Sequence, residues 1–221
     1  MAVRQNIVDY INNNPPISGG MAKNQIYAIL YNLEDILNKN IEGDIVELGC
    51  CVGTTALYIR RWLDLFNSNK QYHVYDSWEG LPYPTQEDAS NHPMQFTRGF
   101  CKTTKEVFLQ NFKTNNLSPP IIHSGWFKDI PDNEYPEKIA FAFYDGDFYS
   151  SIMDSFNKTW CKLVPGAVIM IDDCGWDALP GCETAVKEFL CDKEEDYSLL
   201  AYPDNEYKFG VKMGGGRIIK L

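Results

Sequence analysis

Residues 43–55 read Gly43-Asp44-Ile45-Val46-Glu47-Leu48-Gly49-Cys50-Cys51-Val52-Gly53-Thr54-Thr55. A short apolar run ends on an acid and enters a loop that carries two glycines. The same pattern recurs downstream. Val74-Tyr75 runs into Asp76, Ala140 to Tyr144 into Asp145, and Ala167 to Ile171 into Asp172-Asp173. Short apolar runs separated by helix-like segments predict parallel strands buried on both faces. In open α/β sheets, ligands sit just outside the carboxyl ends of such strands. The sequence therefore directs five carboxylates, Glu47, Asp76, Asp145, Asp172 and Asp173, toward one crevice. Helix capping accounts for one or two acids at such places, not five on four strands.

The bulk composition narrows the function. The 221 residues suffice for one domain with one core, with cap helices over residues 1–40 and a lid loop over 80–100. A net charge of −10 argues against the basic face of a nucleic-acid binder and against attraction to anionic lipid. No apolar run approaches the roughly 20 residues of a membrane span, and residues 1–16 lack a signal-peptide core. The seven cysteines, at 50, 51, 101, 161, 174, 182 and 191, show no Cys-x-x-Cys spacing. Reduced thiols in a cytoplasmic compartment are expected. Cys50 and Cys51 read as small residues of a tight turn, without a reactive role.

Further elements follow from periodicity. Ile26, Ile29, Leu30, Leu33, Ile36 and Leu37 fall at helical spacing. Helices are predicted over 54–69, from Thr103 or Thr104 to Asn116, over 153–163 and over 185–191, with Thr54 or Thr55 near the start of the first. Strands are predicted at 72–75, 121–123, 140–144 and 167–171. SLLAY, YKFGVKM and GRIIKL predict short strands around a turn at Gly214-Gly215-Gly216. Residues 80–100 hold three prolines and the aromatics Tyr83, Phe96 and Phe100, which suits a lid that packs on something. His92 reads as solvated, and His123 as a packed residue. The sum is an α/β fold with a mostly parallel, doubly wound sheet.

The loop spacing selects a ligand. A dinucleotide fingerprint needs Gly-x-Gly-x-x-Gly, and a P-loop needs Gly-Lys-Ser/Thr. This loop has Glu-x-Gly-x-x-x-Gly, a pattern associated with S-adenosylmethionine (SAM). SAM has no pyrophosphate, and its ammonium and sulfonium welcome carboxylates. Asp76 lies 29 residues after Glu47, where an acid can accept both ribose hydroxyls. The expected cofactor contacts are Glu47, Gly49, Gly53, Thr54, Asp76, Ser77 and Asp145.

Asp172 and Asp173 follow Asp145 by 27 and 28 residues. If their strands are neighbours, about 4.8 Å apart, the three carboxylates repel one another. A hard divalent cation such as Mg²⁺ suits an all-oxygen donor set, whereas zinc favours His or Cys.

These stretches resemble the macrocin O-methyltransferase family of SAM-dependent enzymes that methylate sugar hydroxyls on natural products. The resemblance rests on Gly43–Gly49, Asp76-Ser77-Trp78-Glu79-Gly80-Leu81-Pro82 and Gly125-Trp126-Phe127-Lys128-Asp129-Ile130-Pro131. It continues through Asp145-Gly146-Asp147-Phe148-Tyr149-Ser150-Ser151, Pro165-Gly166 with Asp172-Asp173, and Gly181-Cys182-Glu183-Thr184-Ala185-Val186. It implies a Rossmann-like class I methyltransferase fold with an antiparallel C-terminal strand. It also implies Mg²⁺ on Asp145, Asp172 and Asp173, Asp145 as general base, and Trp126 at the adenine end of the cofactor. Cys51-Val52-Gly53-Thr54 stands where the family loop usually carries a Trp-Arg-Gly-Gly-like run.

The expected acceptor is a sugar-containing small molecule, with no nucleic acid or membrane as partner and a homo-oligomer left open. A catechol-type methyltransferase shares the metal logic. A non-enzymatic SAM-binding protein would need no such carboxylates, and a dehydrogenase is disfavoured by the glycine spacing.

Overall fold

The computed structural model describes residues 4–92, 94–200, 207–208, 211–212 and 214–221. Two helices come first, α1 (Gln5–Asn13) and α2 (Lys23–Asn38). Then follow β1 (Asp44–Leu48), α3 (Thr54–Leu65), β2 (Tyr72–Asp76), α4 (Lys105–Thr114), β3 (Ile121–Ser124) and β4 (Ile139–Tyr144). The chain continues through α5 (Tyr149–Thr159), β5 (Leu163–Asp172), α6 (Pro180–Leu190) and β6 (Tyr197–Leu199). A small hairpin, β7 (Tyr207–Lys208) with β8 (Val211–Lys212), precedes β9 (Gly215–Ile219).

The main sheet has the order β3-β2-β1-β4-β5-β9-β6. The first five strands in that order pair in parallel. β9 runs antiparallel to both of its neighbours. The order reverses between β1 and β4, so the crevice opens beyond their carboxyl ends.

Alternation within the strands builds two cores. In β4, Phe141 and Phe143 face one cluster, while Ala142 and Tyr144 face the other. In β5, Val168 and Met170 oppose Ile169 and Ile171 in the same way. The first cluster takes Leu30 and Leu33 of α2, Leu57 and Trp62 of α3, and Phe108 and Phe112 of α4. The second takes Ile152 and Phe156 of α5 and Val186 of α6. Both faces are covered, which is why these strands read as unbroken apolar runs.

Several predicted boundaries move. The helix predicted over 54–69 stops at Leu65, and Asn67 turns the chain at φ +47°. α5 begins four residues before Met153 and gives way to a 3₁₀ turn at Trp160–Lys162. β5 extends back through Pro165 and Gly166 to Leu163. α6 starts at Pro180, where the missing N–H is no loss. Gly215 and Gly216 belong to β9 rather than to a turn, pairing antiparallel with Asp172 and Ile171 of β5, and a Cβ on Gly216 would lie 3.0 Å from the Cys174 side chain. Ala201 and Tyr202 of the predicted SLLAY strand lie outside the described residues, as do Phe209, Gly210, Met213 and Pro93.

Candidate functional site

β1 and β4 end side by side, and their exits are in backbone contact. The Asp145 N–H donates to the Leu48 carbonyl at 2.9 Å. A Cβ on Gly49, whose φ is +91°, would stand 2.0 Å from the Asp145 carbonyl oxygen. Glycine at 49 thus lets one loop pass against the other. Gly53 has a different use. Its φ is +88°, and an added Cβ would meet the Phe108 ring at 2.9 Å, so this glycine serves α4 packing.

The glycine loop is held by Asp76 at the end of β2. Its Oδ2 accepts from the N–H groups of Cys50 and Cys51, each at 2.9 Å, and its Oδ1 accepts from the Trp78 N–H at 2.8 Å. A carboxylate offers about four lone-pair sites. Three are committed to the backbone, so Asp76 first shapes the loop and has limited capacity left for a ligand.

Beyond the strand ends lies a cavity of about 760 Å³. Gly49, Thr54, Asp76, Ser77, Trp126, Asp145, Asp172 and Asp173 all line it. Glu47 and Gly53 do not. Glu47 shares the face of Ile45 on β1, beneath the cavity floor, is fully buried, and accepts a hydrogen bond from the Tyr72 hydroxyl. Its other oxygen has no hydrogen-bond partner among the described residues.

Burial pushes the Glu47 carboxyl up to about 8. The Tyr72 hydrogen bond opposes that rise, and Asp76 adds to it. A carboxyl raised in the folded state binds its proton more tightly there than in the unfolded chain. Its contribution is complete below the ordinary value of 4.5 and is lost as pH climbs through about 8. Between about pH 4.5 and 7, wild type is expected to lose about 3 kcal/mol more stability than Glu47→Gln. Urea unfolding of both proteins across that range checks this. Parallel curves would show that Glu47 is ionised where it lies.

The carboxylates at β4 and β5 act on one another. Burial first, then Asp172, Asp147 and Asp173, push the Asp145 carboxyl well above its usual range. Asp172 Oδ1 accepts from Gln25 Nε2 at 2.7 Å. The Gln25 Oε1 is committed to the Ala22 N–H at 2.8 Å, so its amide orientation is fixed by its own helix start. Asp173 sits at φ +55° and receives the Trp176 N–H on its carbonyl. This all-oxygen donor set suits a hard cation in its chemistry. Among the described residues, no group of three or more His, Cys, Asp or Glu side chains is gathered in a metal-holding arrangement.

The N-terminal segment covers the site. Ser18 and Thr54 hydroxyls hydrogen-bond at 2.6 Å, and Ser18, Gly19, Gly20 and Met21 line the cavity. The 80–100 loop closes another side. Asp88, in a 3₁₀ turn at Gln86–Asp88, accepts from the Tyr149 N–H at 2.7 Å and from the Thr85 N–H at 2.7 Å. α5 has no capping side chain of its own, so Asp88 caps it from the lid. Gly181 leaves the room, since a Cβ there would lie 1.9 Å from Asp88 Oδ1. The Ser90 hydroxyl donates to the Asp177 carbonyl at 2.6 Å. Phe96 and His92 pack edge-on against Trp176. His92 is thus half-buried rather than solvated. His123 packs between His73 and Tyr75, with Glu134 on its Nδ1 at 2.9 Å.

Asp88→Ala is expected to cost about 1–2 kcal/mol, the scale of a lost cap. Urea unfolding measures that cost, and faster tryptic cleavage after Arg98 should accompany it. Unchanged cleavage would mean that Asp88 does not hold the lid.

A family model described as macrocin-O-methyltransferase (TylF) matches residues 5–199. The chain belongs to this family. Among curated relatives, mycinamicin III 3''-O-methyltransferase of Micromonospora griseorubida is 29% identical, over 71% of this chain and 64% of its own length. The 8-demethyl-8-(2,3-dimethoxy-alpha-L-rhamnosyl)-tetracenomycin-C 4'-O-methyltransferase of Streptomyces olivaceus is 28% identical, over 72% and 62%. This chain therefore spans less than two thirds of the length of those relatives. The solved structure of the O-methyltransferase NovP superposes with a TM-score of 0.74, at 22% identity, over 90% of this chain and 81% of that one. The fold is the Rossmann-like one of class I O-methyltransferases, mostly parallel with antiparallel C-terminal strands.

Within this family member, several cavity residues carried no readable sequence signal. Ser18 comes from the turn between α1 and α2 and Arg98 from the 80–100 loop, while Gln25 of α2 reaches the site through Asp172. Asp147, Asp154 and Trp176 also line the cavity. Asp147 stood in a quoted motif, and its φ of +59° turns the chain between β4 and α5. No helix among the described residues is long and apolar enough to cross a membrane.

Proposed function

We propose that this chain is a SAM- and divalent-metal-dependent O-methyltransferase acting on a hydroxyl of a sugar-containing small molecule. The observation that carries the reading is one cavity with the glycine loop and Asp76 on one wall and Asp145, Asp172 and Asp173 on another. Its volume of about 760 Å³ suits a methyl donor beside a small acceptor. Family membership and the relatives' names support the reaction, and the rhamnosyl group in one name supports a sugar hydroxyl. A single catalytic domain in the cytoplasm is part of the same reading.

In this reading the acceptor oxygen attacks the sulfonium-bound methyl in line. The C–O bond forms as the S–C bond breaks, and the sulfur leaves as a neutral thioether. Asp145 takes the hydroxyl proton on its carboxylate. Asp145 lines the cavity beside Asp147, Asp172 and Asp173, within reach of a hydroxyl held there. A divalent cation bound by Asp145, Asp172 and Asp173 would lower the acceptor's pKa and fix its position. Gln25 orients Asp172, and the lid excludes water. Glu47 enters as a buried acid beneath the loop, and the acceptor meets the aromatics of the lid.

The direct test is calorimetric titration with S-adenosylhomocysteine. Wild type is expected to bind, and Asp76→Ala to bind about tenfold or more weakly, since three charge-assisted hydrogen bonds that shape the loop are lost. Binding of NAD in place of the SAM product would overturn the reading. An acceptor screen that returns only catechols would retain the donor and reject the sugar.

A further inference from the structure

Cys51 and Cys101 face each other across the cavity mouth, and the chemistry proposed above uses neither. Cys51 sits on the glycine loop and Cys101 directly follows the lid. Both line the cavity. The Cys51 Sγ donates to the Cys101 carbonyl oxygen at 3.4 Å, across 50 residues of chain. Cys51 is half-buried and Cys101 is exposed, so small oxidants reach the pair. Each thiol is set first by the other. Contact with Cys101 holds the Cys51 thiol below its usual range, while contact with Cys51 pushes the Cys101 thiol up. The contact brings the two residues together so that one sulfur can attack an oxidant and the other resolve the product.

The remaining cysteines do not share this setting. Burial pushes the Cys50, Cys174 and Cys182 thiols up. Cys161 and Cys191 are exposed but do not line the cavity. Residue types alone made Cys51 a filler of a tight turn. Its side-chain contact with Cys101 gives it a partner.

We propose that Cys51 and Cys101 are a reversible oxidation site whose disulfide ties the lid to the glycine loop and closes the donor end of the cavity. The oxidant class is a peroxide. The Cys51 thiolate attacks one peroxide oxygen and the O–O bond breaks. A sulfenic acid forms, and the other oxygen leaves as water after taking a proton. The Cys101 sulfur then attacks the Cys51 sulfur, the S–O bond breaks, and a second water leaves with the Cys101 proton. Two thiols have lost two electrons, and both peroxide oxygens are reduced to water. A dithiol reductant reverses the step by exchange. A disulfide holds its Cα atoms within about 6.8 Å. The lid end is then fixed against the two N–H groups that Asp76 organises. The effect on the methyl donor rests on the function proposed above, while the cross-link itself does not.

The test treats the reduced full chain with a few equivalents of hydrogen peroxide. Non-reducing peptide mapping is expected to join the Cys51 and Cys101 peptides, with loss of the mass of two hydrogens. Calorimetry with S-adenosylhomocysteine is expected to show at least a tenfold weaker affinity after oxidation, restored by dithiothreitol. In Cys101→Ser the cross-link is absent and dimedone labels Cys51 instead. No link between these two peptides, or a link with unchanged affinity, overturns the proposal. Failure of the reduced protein to bind the donor product overturns the function reading instead, and the peptide map still decides the dithiol.

Discussion

Asp145→Asn is expected to lower methyl transfer by about 10²–10⁴-fold, the range of a lost general base. The same variant should keep or gain stability. It removes a carboxylate that Asp172, Asp147 and Asp173 all repel. The two readouts together separate a chemical role from a structural one, because a collapsed site would lose melting temperature along with rate. Exhaustive chelation is expected to remove transfer as completely and to leave unfolding nearly unchanged, with Mg²⁺ restoring the rate. Asp172→Asn should weaken the cation more than the methyl donor. Full rate in chelator would leave Asp145 as a metal-free base. Full rate in Asp145→Asn would move the base elsewhere.

Gly49→Ala is expected to be strongly destabilising. The new Cβ would arrive 2.0 Å from the Asp145 carbonyl oxygen, a backbone atom that no rotamer change can move aside. The φ of +91° adds strain for any L side chain. Strain and overpacking together amount to about 3–5 kcal/mol. Urea unfolding checks this, with Gly19→Ala as the control, since an added Cβ there meets nothing within 4 Å. Equal midpoints for the two variants would mean that the β1 and β4 exits can separate without cost.

β1, β2, β4 and the end of β5 were legible because they are buried and so are written as short apolar runs, whereas β3, at the sheet edge, is largely exposed. The acids at their ends were legible for the same reason, since a charge interrupts the run. What each acid does was less visible. Glu47 sits on the Ile45 face and points below the floor, a consequence of strand alternation that its motif position conceals. The start of α5 was missed because its cap is Asp88, 61 residues upstream. Gln25 reaches Asp172 over 147 residues and belongs to a helix whose pattern speaks only of packing. Local periodicity records burial well. It does not record polar partnerships made across the fold.

The Asp88 cap has a kinetic consequence. The lid is shut by contacts of modest worth, at Asp88 with Tyr149, Ser90 with Asp177, and Phe96 with Trp176. At about 1 kcal/mol each, they leave an open population on the order of one per cent. In the function proposed above, acceptor entry and product escape by this side would proceed through that minority state, in which the first turn of α5 has lost its side-chain acceptor. Fraying of that turn and ligand exchange are then one event. Residence times inside the cavity should lengthen with any substitution that strengthens the α5 start, even one that never touches a ligand.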